Sequence, residues 1–111
     1  MNAILRGQVH WVALDPVVGS EMAKTRPCVI LSANEINRMR KTVVIVPLTS
    51  TTEPQRFPLV VAVPTAGPGS KVRVEHVRNV DKSRLRGHIG HLGDDDLHEI
   101  SRALARVLGL N

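Results

Sequence analysis

Short runs of branched aliphatic residues, separated by proline, glycine and polar turns, constrain this 111-residue chain more than any other feature. Gln8 to Leu14 alternates as a half-buried strand does and ends at Asp15-Pro16. Further strands are expected from about Pro27 to Ser32, Lys41 to Val46, Leu59 to Val63 and Lys71 to Val77, with a short bent strand over Leu85 to Leu92. Val and Ile fill these runs, as suits a pleated surface. Strands and helices do not alternate along the chain, so a doubly wound parallel sheet is excluded. The expectation is a mainly β, compact antiparallel barrel closed by one terminal helix, in a single domain spanning 1–111.

Two helices are readable. Ala33 to Arg40 suits one or two turns, with Asn34 as its cap and Ile36 and Met39 spaced to reach the core. The last element is clearer. Asp94 is placed to cap it, and Asp95 and Asp96 sit at the positive end of its dipole, with Arg102 and Arg106 toward the other. Leu97, Ile100, Leu104, Val107 and Leu108 make one apolar stripe, and Gly109 stops the helix.

The formal charge of +5 favours polyanionic partners. Trp11 and Phe57 are the only Phe, Tyr or Trp residues, which excludes a succession of base-stacking platforms and leaves charge and backbone to hold any RNA. The lone Cys28 lies in an apolar run and reads as a buried small hydrophobe, compatible with a reducing cytoplasm. No signal-peptide core is present, and no apolar run approaches the roughly 20 residues that cross a bilayer, so a cytoplasmic protein is expected.

Chemistry concentrates at two strand ends. Gly19-Ser20-Glu21-Met22-Ala23-Lys24-Thr25-Arg26-Pro27 leads into one strand, and another ends in Pro47-Leu48-Thr49-Ser50-Thr51. If those strands are neighbours, the Arg26 fork and the Thr49 hydroxyl converge on one phosphate. Cleaving RNA without a metal requires a proton taken from the 2′-hydroxyl, charge stabilised on the phosphorane and a proton given to the 5′-oxygen. Arg26 suits the second task. Thr49, with Ser50 beside it, suits donation to a nonbridging oxygen. Glu21 either orients Arg26 or accepts a proton, and His76 is an acid–base candidate. Ser20, Lys24, Ser50, Thr51, His76 and Arg78 are the expected substrate-binding residues. The same pattern also fits a plain Arg26–Glu21 ion pair, a capping hydroxyl at Thr49 and a structural His76. His88 and His91 face opposite sides of a strand, which scatters ligands, so no metal and no cofactor is expected.

The ordered set Arg6-Gly7-Gln8-Val9, Leu14-Asp15-Pro16, Gly19-Ser20-Glu21, Arg26-Pro27, Val46-Pro47-Leu48-Thr49-Ser50 and Val80-Asp81-Lys82-Ser83-Arg84-Leu85 resembles the MazF/PemK toxin endoribonucleases of type II toxin–antitoxin pairs. The resemblance implies an SH3-like barrel with a C-terminal helix, forming a homodimer. It implies metal-independent, sequence-specific cutting of single-stranded RNA, leaving 2′,3′-cyclic phosphate and 5′-hydroxyl ends. By position, Arg26 matches the family's catalytic arginine, Thr49 its transition-state threonine, and Glu21 the glutamate beside them. Glu75-His76 stands where many members have Asp-Gln, which bears on base recognition. The implied partner is an antitoxin with an acidic, flexible tail.

Two other classes share the features read so far. A gyrase-binding toxin of the CcdB type has the same architecture without need of Arg26 and Thr49, and a basic RNA-binding module predicts affinity without cleavage.

Overall fold

The computed structural model describes residues 3–14, 24–49 and 52–110. Seven strands form one antiparallel sheet: β1 (Gln8–Ala13), β2 (Thr25–Ile30), β3 (Thr42–Thr49), β4 (Val60–Ala62), β5 (Lys71–Arg73), β6 (Arg78–Asp81) and β7 (Leu85–His91). Their order is β4-β5-β3-β2-β1-β7, with β6 also paired to β3. Among the described residues there are also two α-helices, α1 (Asn34–Met39) and α2 (Asp94–Val107). The mainly β class with a C-terminal helix is as expected. The ring is not closed, because among the described residues no ladder joins β7 to β4 or β6.

β3 organises the sheet. It pairs with β6 over Thr42 to Ile45 and with β5 at Leu48 and Thr49. Between those ladders β3 advances from Ile45 to Leu48, while its partner chain runs from Arg78 back to Val72, twice as many residues. The excess forms a 3-10 turn over Val74–His76. The single fifth strand expected over Lys71 to Val77 is therefore broken, and Glu75 and His76 stand on an exposed turn. Pro47 ends no strand either. It falls in the interval between the β5 and β6 ladders, where a residue without an N–H is tolerated.

Strand alternation separates two cores. Val9, Val29, Leu31, Val46, Val61, Val63, Val72, Val74 and Leu92 pack with Ile100 and Ala103 of α2. Val12, Leu14, Cys28, Ile30, Val43, Ile45 and Val80 form the second cluster. Each fully buried Val, Leu or Ile contributes on the order of 1.5–3 kcal/mol by leaving water, so the aliphatic runs suffice without aromatics.

The residues before β1 act as a staple. Gly7 adopts φ +94, donates its N–H to the Ile30 carbonyl at 2.7 Å and accepts from Leu92 N at 2.9 Å. Arg6 reaches the Leu31 carbonyl and, at 2.7 Å, Ser101 Oγ on α2. Gln8 Oε1 accepts from Leu5 N at 3.1 Å and meets His10 Nε2 at 2.9 Å.

Both helices depart from expectation in which side chains they bury. Ile36 and Met39 are exposed, and Asn37 is the buried residue of α1, bonded to Ser32 through both its side-chain oxygen and nitrogen. Asn34 spends its side chain on Arg6 N, leaving Ala33 as N-cap. On α2 the N-cap is Gly93, one residue before the expected Asp94, and Leu108 is exposed. Ala103, too small to stand out in an apolar stripe, is fully buried instead.

Candidate active site

The proposed edge forms where β2 and β3 reach the end of their shared ladder. Cys28 pairs with Pro47, and carrying that register two residues further sets Arg26 opposite Thr49. Arg26 lies inside β2, paired with Val12 of β1, rather than in the loop ahead of the strand. Arg26, Cys28 and Ile30 share one face of β2, as Thr49, Pro47 and Ile45 share one face of β3. Cys28, Ile30 and Ile45 of these rows belong to the second core, so Arg26 and Thr49 are its continuation to the surface.

Two cavities meet at this edge, and Arg26, Leu48 and Thr49 line both. The first, of about 410 Å³, is partly apolar, with Val9, Trp11, Pro27, Ala66 and Ile89 beside Thr65, Ser70 and His91. The second, of about 370 Å³, is strongly cationic: Lys24, Arg26, Arg73 and Arg78, with His76 beside them, surround Thr49, Pro47 and Leu14. Burial pushes the Cys28 thiol up to about 12, against opposing pulls from the Arg78 and Arg26 guanidiniums. Both cations thus act on one buried atom behind the edge.

Of the expected site residues, Arg26, Thr49, Lys24, His76 and Arg78 come together around the second cavity. Glu21, Ser20, Ser50 and Thr51 lie outside the described residues. Arg73 was missed. The alternation Lys71-Val72-Arg73 carried its signal, since Val72 is fully buried and its neighbours must face outward. Trp11, in sequence only one of two aromatics, is 41% exposed on the wall of the first cavity.

The remaining histidines have other duties. His10 is buried, and its ring stacks on His88 with centroids 5.1 Å apart. Burial first, and the neighbouring His88 second, hold its pKa below the usual 6.5. His91 bonds the Leu92 carbonyl at 2.7 Å. Among the described residues, no three His, Cys, Asp or Glu are grouped to hold a metal ion.

Residues 5–108 match the family described as PemK-like, MazF-like toxin of type II toxin-antitoxin system. Endoribonuclease EndoA of Bacillus subtilis (strain 168) is 31% identical over 111 residues, covering 96% of each chain. An endoribonuclease from Mycobacterial species, solved in complex with its cognate antitoxin, superposes with a TM-score of 0.77 at 31% identity, covering 98% of both chains. A MazE–MazF crystal structure from Deinococcus radiodurans gives a TM-score of 0.83 at 25% identity over the whole of both chains. With its length matched almost end to end, the chain belongs to the PemK-like, MazF-like toxins of type II toxin–antitoxin systems.

Proposed function

We propose that this chain is the toxin endoribonuclease of its pair, cutting single-stranded RNA at the edge formed by Arg26 and Thr49. The observation that carries the reading is the convergence of these two residues, from separate strands, on the rim shared by both cavities. Two relatives of at least 31% identity are named endoribonucleases, which supports the same activity here. The gyrase-binding alternative drops out with the family match.

In the proposed reaction the ribose 2′-hydroxyl loses a proton as its oxygen attacks the adjacent phosphorus. The bond to the 5′-oxygen breaks, that oxygen gains a proton, and the products are a 2′,3′-cyclic phosphate and a 5′-hydroxyl. Arg26 and Thr49 donate to the nonbridging oxygens, where negative charge accumulates. Lys24, His76 and Arg78 hold flanking phosphates or bases from the cationic cavity. His76 is exposed on its turn and accessible for proton transfer. Glu21, Ser20, Ser50 and Thr51 keep their assigned roles as part of the proposal. No metal takes part in it.

A homodimer and an acidic antitoxin tail complete the reading. Solved relatives are complexes with antitoxins, and a cation-lined cavity favours an acidic segment competing for the donors that hold phosphate. No described helix is long and apolar enough to cross a membrane, and we place the activity in the cytoplasm.

Incubating the purified chain with a long single-stranded RNA in EDTA tests the proposal. Discrete fragments with cyclic-phosphate ends are expected, and they should vanish for a folded Arg26→Ala variant. Intact RNA at high enzyme concentration would refute it.

A further inference from the structure

One cation of the second cavity is already engaged. Arg73, the last residue of β5, places Nη2 at 2.8 Å from Glu53 Oε2, in the segment that follows β3. Both side chains remain more than one-third exposed, at 36% and 37%. The Nε of Arg73 is buried and has no hydrogen-bond partner among the described residues. The guanidinium is thus only partly satisfied, although it offers five donors.

Its position relative to the proposed chemistry is fixed by register. Thr49 faces Lys71, and Arg73 follows two residues later on the same side of β5. This makes Arg73 a diagonal neighbour of Thr49, at roughly 7–8 Å between such positions. It lines the same cavity as Arg26, Lys24, His76 and Arg78. A carboxylate therefore occupies the one arginine that stands a step along the groove from the expected point of cleavage. An ion pair this exposed is weakly held, whereas a phosphate accepts from two edges of the fork at once and releases counterions as it binds.

We infer that Glu53 is a displaceable stand-in for an RNA phosphate: Arg73 holds the phosphate adjacent to the scissile one, and the Glu53 carboxylate competes for that place in the free toxin. This inference rests on the ribonuclease reading above. Binding exchanges one acceptor on Arg73 for another. The exposed Nη2 edge that now meets Glu53 is the edge a phosphate oxygen reaches from the cavity.

The test measures binding of a fluorescent mixed-sequence 2′-O-methyl RNA, whose attacking hydroxyl is blocked, across a salt series. Glu53→Gln should bind about two- to fivefold tighter, the scale of a weak surface ion pair removed from competition. Arg73→Met should bind about tenfold weaker, and the slope of log affinity against log salt should shrink by about 0.7, one phosphate contact on a single strand. The double variant should match Arg73→Met, since without the Arg73 guanidinium the Glu53 carboxylate has no donor there to contest. Arg73→Lys keeps the charge and should retain the salt slope with part of the affinity, which covers the case of Arg73→Met failing to fold. Unchanged or weaker binding by Glu53→Gln, or a full salt slope without Arg73, overturns the inference. Cleavage of unmodified RNA by the unaltered chain is run in parallel. Its absence sinks the ribonuclease reading, whereas normal cleavage with no effect of Glu53 or Arg73 sinks this inference alone.

Discussion

The Asp96 carboxylate clamps Thr65 twice, accepting its backbone N–H at 2.9 Å and its hydroxyl at 2.5 Å. Thr65 Oγ1 in turn accepts from Gly93 N at 2.9 Å, at the start of α2. A side chain read from sequence as a dipole partner is thus a tertiary clamp. It ties α2 to the 3-10 turn Pro64–Ala66, which forms one wall of the first cavity. Asp96→Ala should lower unfolding stability by about 1.5–3 kcal/mol, the scale of hydrogen bonds to a charged group. Asp96→Asn, which keeps an acceptor, should lose less in urea titrations; equal losses would show that the clamp contributes little.

Gly7 accepts no side chain. A Cβ there would lie 2.7 Å from Leu97 Cδ1 and 3.0 Å from His91 Cε1, on backbone at φ +94. Gly7→Ala should destabilise by about 1–3 kcal/mol, through strain and the displacement of α2. Thermal unfolding would show it as a lower midpoint.

His10 gives the fold a pH dependence. In the unfolded chain its imidazole titrates near 6.5, and in the folded one that value is lowered. Below 6.5 the unfolded chain binds a proton that the folded chain refuses, so stability falls as pH drops from 6.5 toward the folded value. Above 6.5 this contribution is constant. Urea midpoints measured at pH 7.5 and at pH 5 should differ for the parent chain and converge for His10→Asn; an equal difference in both would assign the slope to other groups.

Cys28 should resist alkylation. Its sulfur is fully buried, and burial holds its pKa at about 12, so little thiolate exists at mild alkaline pH. Iodoacetamide should label it slowly in the folded chain and rapidly in urea. Rapid labelling without urea would place it nearer the surface than β2 does.

At the proposed catalytic edge, removing one preorganised donor costs on the order of 10²–10³ in rate where charge develops in the transition state. Thr49→Ala should therefore lower kcat far more than it raises KM, and Thr49→Ser should restore most of it. Arg26→Lys should not rescue, because an ammonium lacks the planar fork. Single-turnover cleavage of a defined RNA separates these effects from binding.

Periodicity read correctly wherever one residue faces one neighbour. Every described strand but β6 (Arg78–Asp81), and α2, emerge from spacing alone, because alternating or helical burial leaves a local signature. It read poorly where a neighbour changes. The extension of β3 through Pro47 to Thr49 depends on which strand lies beside it, and the turn Val74–His76 arises from a length mismatch between β3 and its two partners. Ile36 and Met39 have helical spacing, yet Asn37 is buried because Ser32 supplies its hydrogen bonds. That compensation is invisible along the chain. Arg73 escaped notice for a similar reason, since its partner Glu53 comes from a different segment.

The amino-acid order alone determined the mainly β class, the terminal helix and the family, and marked Arg26 and Thr49 as strand-end candidates, because local alternation and ordered motifs encode each of them. Only tertiary structure decided that the sheet stays open, that Lys24, Arg26, Arg73 and Arg78 share one cavity with Thr49, and that a carboxylate already occupies one of them. Those properties depend on which residues meet across strands, and long-range register, unlike period, is not written in any one segment.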